Sequence, residues 1–346
     1  MKKTLVAIAA LAAFGAAWAQ STVTLYGRVD ASVGKTEVQS TGGLPALDVG
    51  ASVNSGQVSG SRWGMQGVED LGGGMKANFR LESGFNVDDG KSAQGGRLFG
   101  RAASVGLSGG FGSIGLGRQV TLVANGGWAI TNGYANYDAW ASTANNAGFG
   151  NPGSVATDSV RKDNSIIYAT PNMGGLVGSL MWAPGENGTA AVNSSDYWSL
   201  GLDYNSGPIW VTFQYESDEV NPATFASAAG GTRQKAWILG GKYDMGIAAL
   251  ALSYQRAEVG TVEDRGWALG LNAPLGPVNL AFEYARETTE TGGAFASRAN
   301  ALNLRVSYPL SKRTDVYAFL SDGKSRTAAG GTQDLSRYSL GVRHSF

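Results

Sequence analysis

From the middle of the chain onward, apolar side chains recur at every second position and almost never run together. Ile209, Val211, Phe213 and Tyr215 alternate with Trp210, Thr212, Gln214 and Glu216. Val278, Leu280, Phe282 and Tyr284 interleave with Asn279, Ala281, Glu283 and Ala285, and Leu302 to Tyr308 repeats the pattern around Asn303, Arg305 and Ser307. Residues two apart share one face of a strand. Each stretch is therefore a strand with one apolar face and one polar or small face. A soluble sandwich turns the apolar face to a core, whereas a membrane barrel turns it to lipid. Helical spans are excluded, because the richest apolar run, Gly246 to Leu252, falls far short of the ~20 residues a membrane helix needs.

The connections favour the barrel. Short segments with turn chemistry occur at Leu71–Gly74, Gly109–Gly112, Pro171–Gly175, Ser206–Pro208, Asp244–Gly246, Ala273–Pro277 and Pro309–Arg313. Glycine supplies positive φ and proline pre-sets φ, so these turn sharply. Longer polar segments lie between them, at Lys35–Gln57, Val87–Gly96, Gly185–Ser194, Asp218–Thr232 and Ser325–Leu335. Short turns at one end and long loops at the other are the plan of outer-membrane barrels. The strands number about sixteen, an even count within the known range. Tyr204, Tyr243 and Tyr308 precede short turns, and Tyr215, Tyr254 and Tyr284 precede loops, as two interfacial girdles require. In the stretch SRWGMQGVEDLGGGMKANFRLESGF, Arg62, Arg80 and Glu82 fall on the polar face. That face is expected to line water inside the barrel.

The start of the chain reads as an export signal. Lys2 and Lys3, the apolar stretch Leu5 to Phe14 and Ala17-Trp18-Ala19 form a signal peptide over residues 1–19, leaving 20–346 as the barrel domain. Its removal leaves two more carboxylates than cations, from an initial 27 of each. No basic excess remains for nucleic acid. With no cysteine and one histidine, disulfides and transition-metal sites are not expected, and no cofactor is assigned. The residues 110–115 match G-x-G-x-x-G, but a strand follows where a dinucleotide site needs a helix. Gly106-Leu107-Ser108-Gly109-Gly110 matches G-x-S-x-G, yet His344, the single histidine, shares the outward parity of Tyr338, Leu340 and Val342. An enzyme is not expected.

One segment breaks the rhythm. Some forty residues separate the strand ending near Arg118 from the one starting near Arg161, and loops of that length are usually functional. Folded inward, this segment narrows the lumen.

The stretches STVTLYGRVDASV, SRWGMQGVEDLGGGMKANFRLESGF, RLFGRAASVGLSGGFGSIGLGRQ and SRYSLGVRHSF resemble the trimeric general porins of Gram-negative bacteria, of the neisserial and β-proteobacterial type. The resemblance implies a transmembrane antiparallel barrel of sixteen strands, a homotrimer, a third loop folded into the lumen and passive diffusion of small hydrophilic solutes. It implies outer-membrane lipids and lipopolysaccharide as surroundings. It also implies recognition of the terminal Phe346 by the barrel-assembly machinery. Wall arginines are implied to form the constriction: Arg62, Arg80, Arg101 and Arg118, with Arg161 matching less specifically and Glu82 beside them. The loop departs from the family pattern, since Asp138 is its one carboxylate between Val120 and Thr157.

Alternation places Arg62 and Arg80 in the lumen, leaves Arg101 open and gives Arg118 the parity of Ile114 and Leu116. Three functions fit such a barrel: a general channel, with moderate anion preference from the arginines; a channel specific for a sugar or organic anion, with Trp128, Tyr134, Tyr137 and Trp140 as a stacking track; and a barrel for adhesion or catalysis.

Overall fold

The computed structural model describes residues 22–44, 46–125, 160–185, 196–219 and 233–346. The expected signal peptide, Asp138 and the four loop aromatics lie outside them.

Among the described residues, seventeen strands form one antiparallel sheet that closes on itself. Strand β1 (Thr22–Ser40) is the closing stave. One edge pairs with the last strand, β17 (Thr332–Ser345), from Arg28↔Ser345 to Ser40↔Gln333. Its other edge pairs first with β3 (Arg62–Gly72) and then with β2 (Leu47–Ser55). These two lie end to end along β1, so the seventeen segments make sixteen staves. Closure leaves no unpaired edge in lipid, where a free N–H or C=O costs several kcal/mol.

The hairpin read from the sequence forms as expected: β3 meets β4 (Met75–Gly84) in the register Arg62↔Gly84 to Asp70↔Lys76. Its turn uses Gly72, Gly73 and Gly74 at φ of 80°, 62° and 80°, a run that side chains oppose. The other wall strands used below are β5 (Ala102–Gly109), β6 (Gly112–Val120), β7 (Arg161–Ala169), β8 (Leu176–Ala183), β9 (Tyr197–Ser206) and β10 (Ile209–Glu219). They continue as β11 (Arg233–Asp244), β12 (Ala249–Val259), β13 (Val262–Leu275), β14 (Val278–Thr291), β15 (Ala294–Pro309) and β16 (Thr314–Thr327).

The two faces separate as the alternation requires. Leu25, Val33, Leu252, Leu320 and Leu340 are exposed outward, while Asp30, Ser199, Thr212, Gln214 and Ser253 are buried on the inner side. This is the inverse of a soluble protein, where an exposed apolar surface of this extent marks a contact with lipid or another chain. The upper girdle is a diagonal series of ring contacts. Trp198 meets Tyr215 at 5.2 Å, Trp237 meets Tyr254 at 5.4 Å and Trp267 meets Tyr284 at 5.4 Å.

Two segments read as loops are strand. Lys35–Ser40 and Leu47–Ser55 belong to β1 and β2, and the connection between β16 and β17 shrinks to residues 328–331. The staves continue beyond the apolar band, and there both faces are polar: Lys324, for example, points outward and is exposed. Alternation of hydropathy stops although the backbone pairing continues, so the sequence looks like loop.

Candidate functional site

The inner wall carries two arcs of opposite charge. On β1, Arg28 faces its register partner Arg62 of β3. Both donate to Ser59 Oγ, Arg28 Nη1 at 3.0 Å and Arg62 Nη2 at 2.7 Å. Ser59 can serve both because the chain leaves the sheet between β2 and β3. Residues 56–61 stand opposite only Val29 and Asp30. The fully buried Asp30 holds this shelf: its Oδ2 accepts from the amides of Val58 (2.9 Å) and Ser59 (2.7 Å), and its Oδ1 accepts from Tyr317 Oη at 2.6 Å. Val58 packs on Tyr317 and Phe319 beneath it. Carboxylate bonds to backbone amides are charge-assisted and stronger than neutral ones.

Along the same arc, Glu82 of β4 is clamped by two guanidiniums. Arg80 Nη2 lies 2.6 Å from Glu82 Oε2, and Arg101 Nε lies 2.7 Å from Oε1. Tyr26 Oη donates to Glu82 at 2.9 Å and accepts from Arg80 at 3.0 Å. The Glu82 side chain is 3 % exposed, whereas that of Arg80 is 51 % exposed. The carboxylate is covered and the cation faces open space. Arg101 reaches this group because it precedes β5, so strand parity does not govern it.

Arg118 and Arg161 lie elsewhere. Gly117, at φ 125°, starts an irregularity in the β6–β7 register, and Arg118 keeps the side of Ile114 and Leu116. It donates to the Gly100 carbonyl at 2.8 Å and pairs with Asp163 at 2.6 Å, which also binds Arg97 at 2.6 Å. Arg161 Nε donates to the carbonyl of Arg101 at 3.0 Å. The structure thus brings together Arg62, Arg80, Glu82 and Arg101, and separates Arg118 from them. Arg28 is one of the inward arginines that sequence reading missed, with Arg343 of β17 beside it. The parity of Arg28 with Tyr26 and Asp30 in TLYGRVD is the signal that places it inward.

The opposite arc, on β9 to β14, is acidic and amide-rich. Glu216, Asp218, Glu283 and Glu287 are buried against the wall. Lys162 pairs with Asp218 at 2.5 Å, and Tyr197 donates to Glu216 at 3.0 Å.

The chain leaving β6 crosses onto that arc. Thr121 is fully buried, and its carbonyl accepts from Asn125 at 2.9 Å in a single helical turn. Leu122 packs with Met181, Ala183 and Tyr197, and Val123 packs with Ile238 and Ala251. Those partners are inward residues of β8, β9, β11 and β12. The first residues of the third long connection therefore run inside the barrel; residues 126–159 are outside the described set.

A closed sheet with an apolar exterior, a charged interior and a connection folded into it is a membrane channel of the porin class. The chain belongs to the Gram-negative porin family, whose model matches residues 5–328. It is 33 % identical to an outer membrane porin protein of Bordetella pertussis and 33 % identical to outer membrane porin protein 32 of Delftia acidovorans, with 100 % of each chain covered in both cases. Among solved structures it is similar to an anion-selective porin from Comamonas acidovorans, with a TM-score of 0.74 and 26 % identity over 94 % of this chain and 100 % of that one. The protein is an outer-membrane porin of a Gram-negative bacterium. It spans the bilayer with its strands and forms a channel.

Proposed function

We propose that the channel passes small hydrophilic solutes by diffusion with a preference for anions, and that it works as a homotrimer. The exposure difference within the Glu82 clamp carries the selectivity reading. An ion in the lumen meets the open guanidinium of Arg80, while the carboxylate beside it is covered and already paired with two cations. Arg28 and Arg62 add two more guanidiniums on the same arc, bridged by a neutral hydroxyl. The acids of the far arc are buried against the wall, and charges more than about 8 Å from an ion are largely screened at physiological salt. Low-dielectric walls concentrate the field of the arginine arc. Similarity to a porin described as anion-selective supports the same reading. The trimer is supported by solved neighbours that include a trimer form.

Liposome swelling with uncharged sugars of rising mass, alongside anions and cations of matched size, tests the proposal. A smooth size cutoff with faster anion entry is the expected result. Saturation by one sugar indicates a specific channel, and faster cation entry contradicts the charge argument.

A further inference from the structure

The guanidinium arc does not end at Arg28. Beyond it, away from Arg62, β17 turns Arg343 inward and β15 turns Arg305 inward, with Asp315 of β16 between them. Arg28 joins the two groups. Its Nη1 donates to Ser59 on the constriction side, and its Nε donates to Ser345 Oγ of β17 at 3.2 Å. Arg343 acts electrostatically on both Arg28 and Arg305, so the three cations share one region of the wall. That region lies at one end of the barrel. Arg343 is two residues from the end of β17, and Asp315 is the second residue of β16, just after the short turn at 310–313. Short turns mark the periplasmic end.

The carboxylates nearby are already engaged. Asp30 is fully buried and accepts from two amides and Tyr317 Oη. Asp315 gives Oδ1 to Arg343 Nε at 2.9 Å, and its Oδ2 is buried. The terminal carboxylate of Phe346 accepts from the Gly27 amide at 3.0 Å. Arg28 differs. Among the described residues its partners are two serine hydroxyls, and none is bonded to its Nη2. Ser345 Oγ accepts from Arg28, which leaves the serine proton to donate. Arg28, Arg343 and Ser345 therefore present N–H and O–H donors to one stretch of the lumen, where 25 % of the Arg343 side chain is exposed. Guanidinium forks bind two oxygens of one anion in parallel. A halide has a single centre and cannot fill a fork, so donors of this kind favour an oxyanion.

We infer that Arg28 and Arg343, with the charge of Arg305 close by, form a second anion site at the periplasmic mouth that holds a small oxyanion, a carboxylate or an inorganic phosphate, in preference to a halide. It rests on the anion preference proposed above: the constriction arginines set the sign of the selectivity, and this site sets which anions dwell. The test is the chloride current of single channels of the full-length protein in planar bilayers, titrated with inorganic phosphate, acetate or bromide at constant ionic strength. Phosphate and acetate are expected to block, and bromide is not. Arg343→Gln is expected to raise the half-blocking concentration of both oxyanions roughly tenfold, the loss of one charge-assisted hydrogen bond. Arg343→Lys keeps the charge and loses the fork. It is expected to weaken the block to a similar extent while keeping the zero-current potential of the wild type, and it serves where the Gln variant does not assemble. Arg286→Gln, on the outer face, leaves the block unchanged. A wild type that neither oxyanion blocks, or block that survives both Arg343 variants, overturns the site. Block by bromide as strong as by acetate overturns the oxyanion assignment. A cation-preferring wild type in which phosphate block still depends on Arg343 overturns the selectivity reading and leaves this site standing.

Discussion

Val123, three residues past the end of β6, packs against Ile238, an inward residue of β11. That contact joins the third long connection to the wall opposite the arginine arc. Burying a valine contributes about 1.5–3 kcal/mol, enough to hold a short segment in place. Val123→Asp replaces it with a charge among apolar groups. The expected outcome is a higher single-channel conductance in an intact, heat-modifiable assembly. Unchanged conductance in that assembly means that this anchor does not set the pore width.

The shelf between β2 and β3 rests on Asp30. Asp30→Ala removes the acceptor for two amides and the Tyr317 hydroxyl, and leaving such donors unpaired costs about 1–3 kcal/mol each. Ser59 then loses its position between Arg28 and Arg62. A lower melting temperature together with a weaker anion preference is expected. A lower melting temperature with unaltered selectivity shows that the shelf is only structural.

Arg118 provides a negative control for the pore. Its guanidinium serves Asp163 and the Gly100 carbonyl, on the side of Leu116. Arg118→Gln is expected to leave the reversal potential unchanged while making the protein easier to dissociate on heating in detergent. A shifted reversal potential places Arg118 in the ion path.

Gly27 and Phe346 close the barrel. Their amides and carbonyls exchange hydrogen bonds at 3.0 and 3.1 Å, and the Phe346 ring occupies the space a Cβ on Gly27 needs. Gly27→Val forces the ring away, and overpacking of this kind costs about 1–3 kcal/mol. Pulse-labelled cells should show slower appearance of the folded band, and Phe346 deletion a larger delay. Normal assembly of both variants removes Phe346 from any role in closure or recognition by the assembly machinery.

The alternation in the sequence was sufficient for the barrel, the inward parity of Arg62 and Arg80 and the outward final strand, because the staves turn an apolar face outward and a polar or small face inward. It failed where that asymmetry ends. Above the girdle both faces are polar, so Lys35–Ser40 and residues 325–327 read as loop although their backbones pair. Parity also says nothing about residues beside a strand end or an irregularity. Arg101 comes inward from just before β5, and the bend at Gly117 does not turn Arg118 inward. The contacts of Leu122 and Val123 were illegible, since apolar residues inside a wet lumen look like the lipid face of one more strand.

In the proposed channel, the guanidiniums of the β1–β5 arc select the permeant ion. The most direct measurement is the zero-current potential of single channels in a potassium chloride gradient, for the wild type and for Arg62→Glu/Arg80→Glu. Both positions face the lumen; Arg80→Glu also removes one of the two guanidiniums on Glu82, whose other partner, Arg101, is unchanged. The wild type should give the sign of an anion-preferring pore, fading as salt rises, and the double variant should give the opposite sign. A wild-type potential of cation sign, or a double variant indistinguishable from wild type, shows that these arginines do not select the ion.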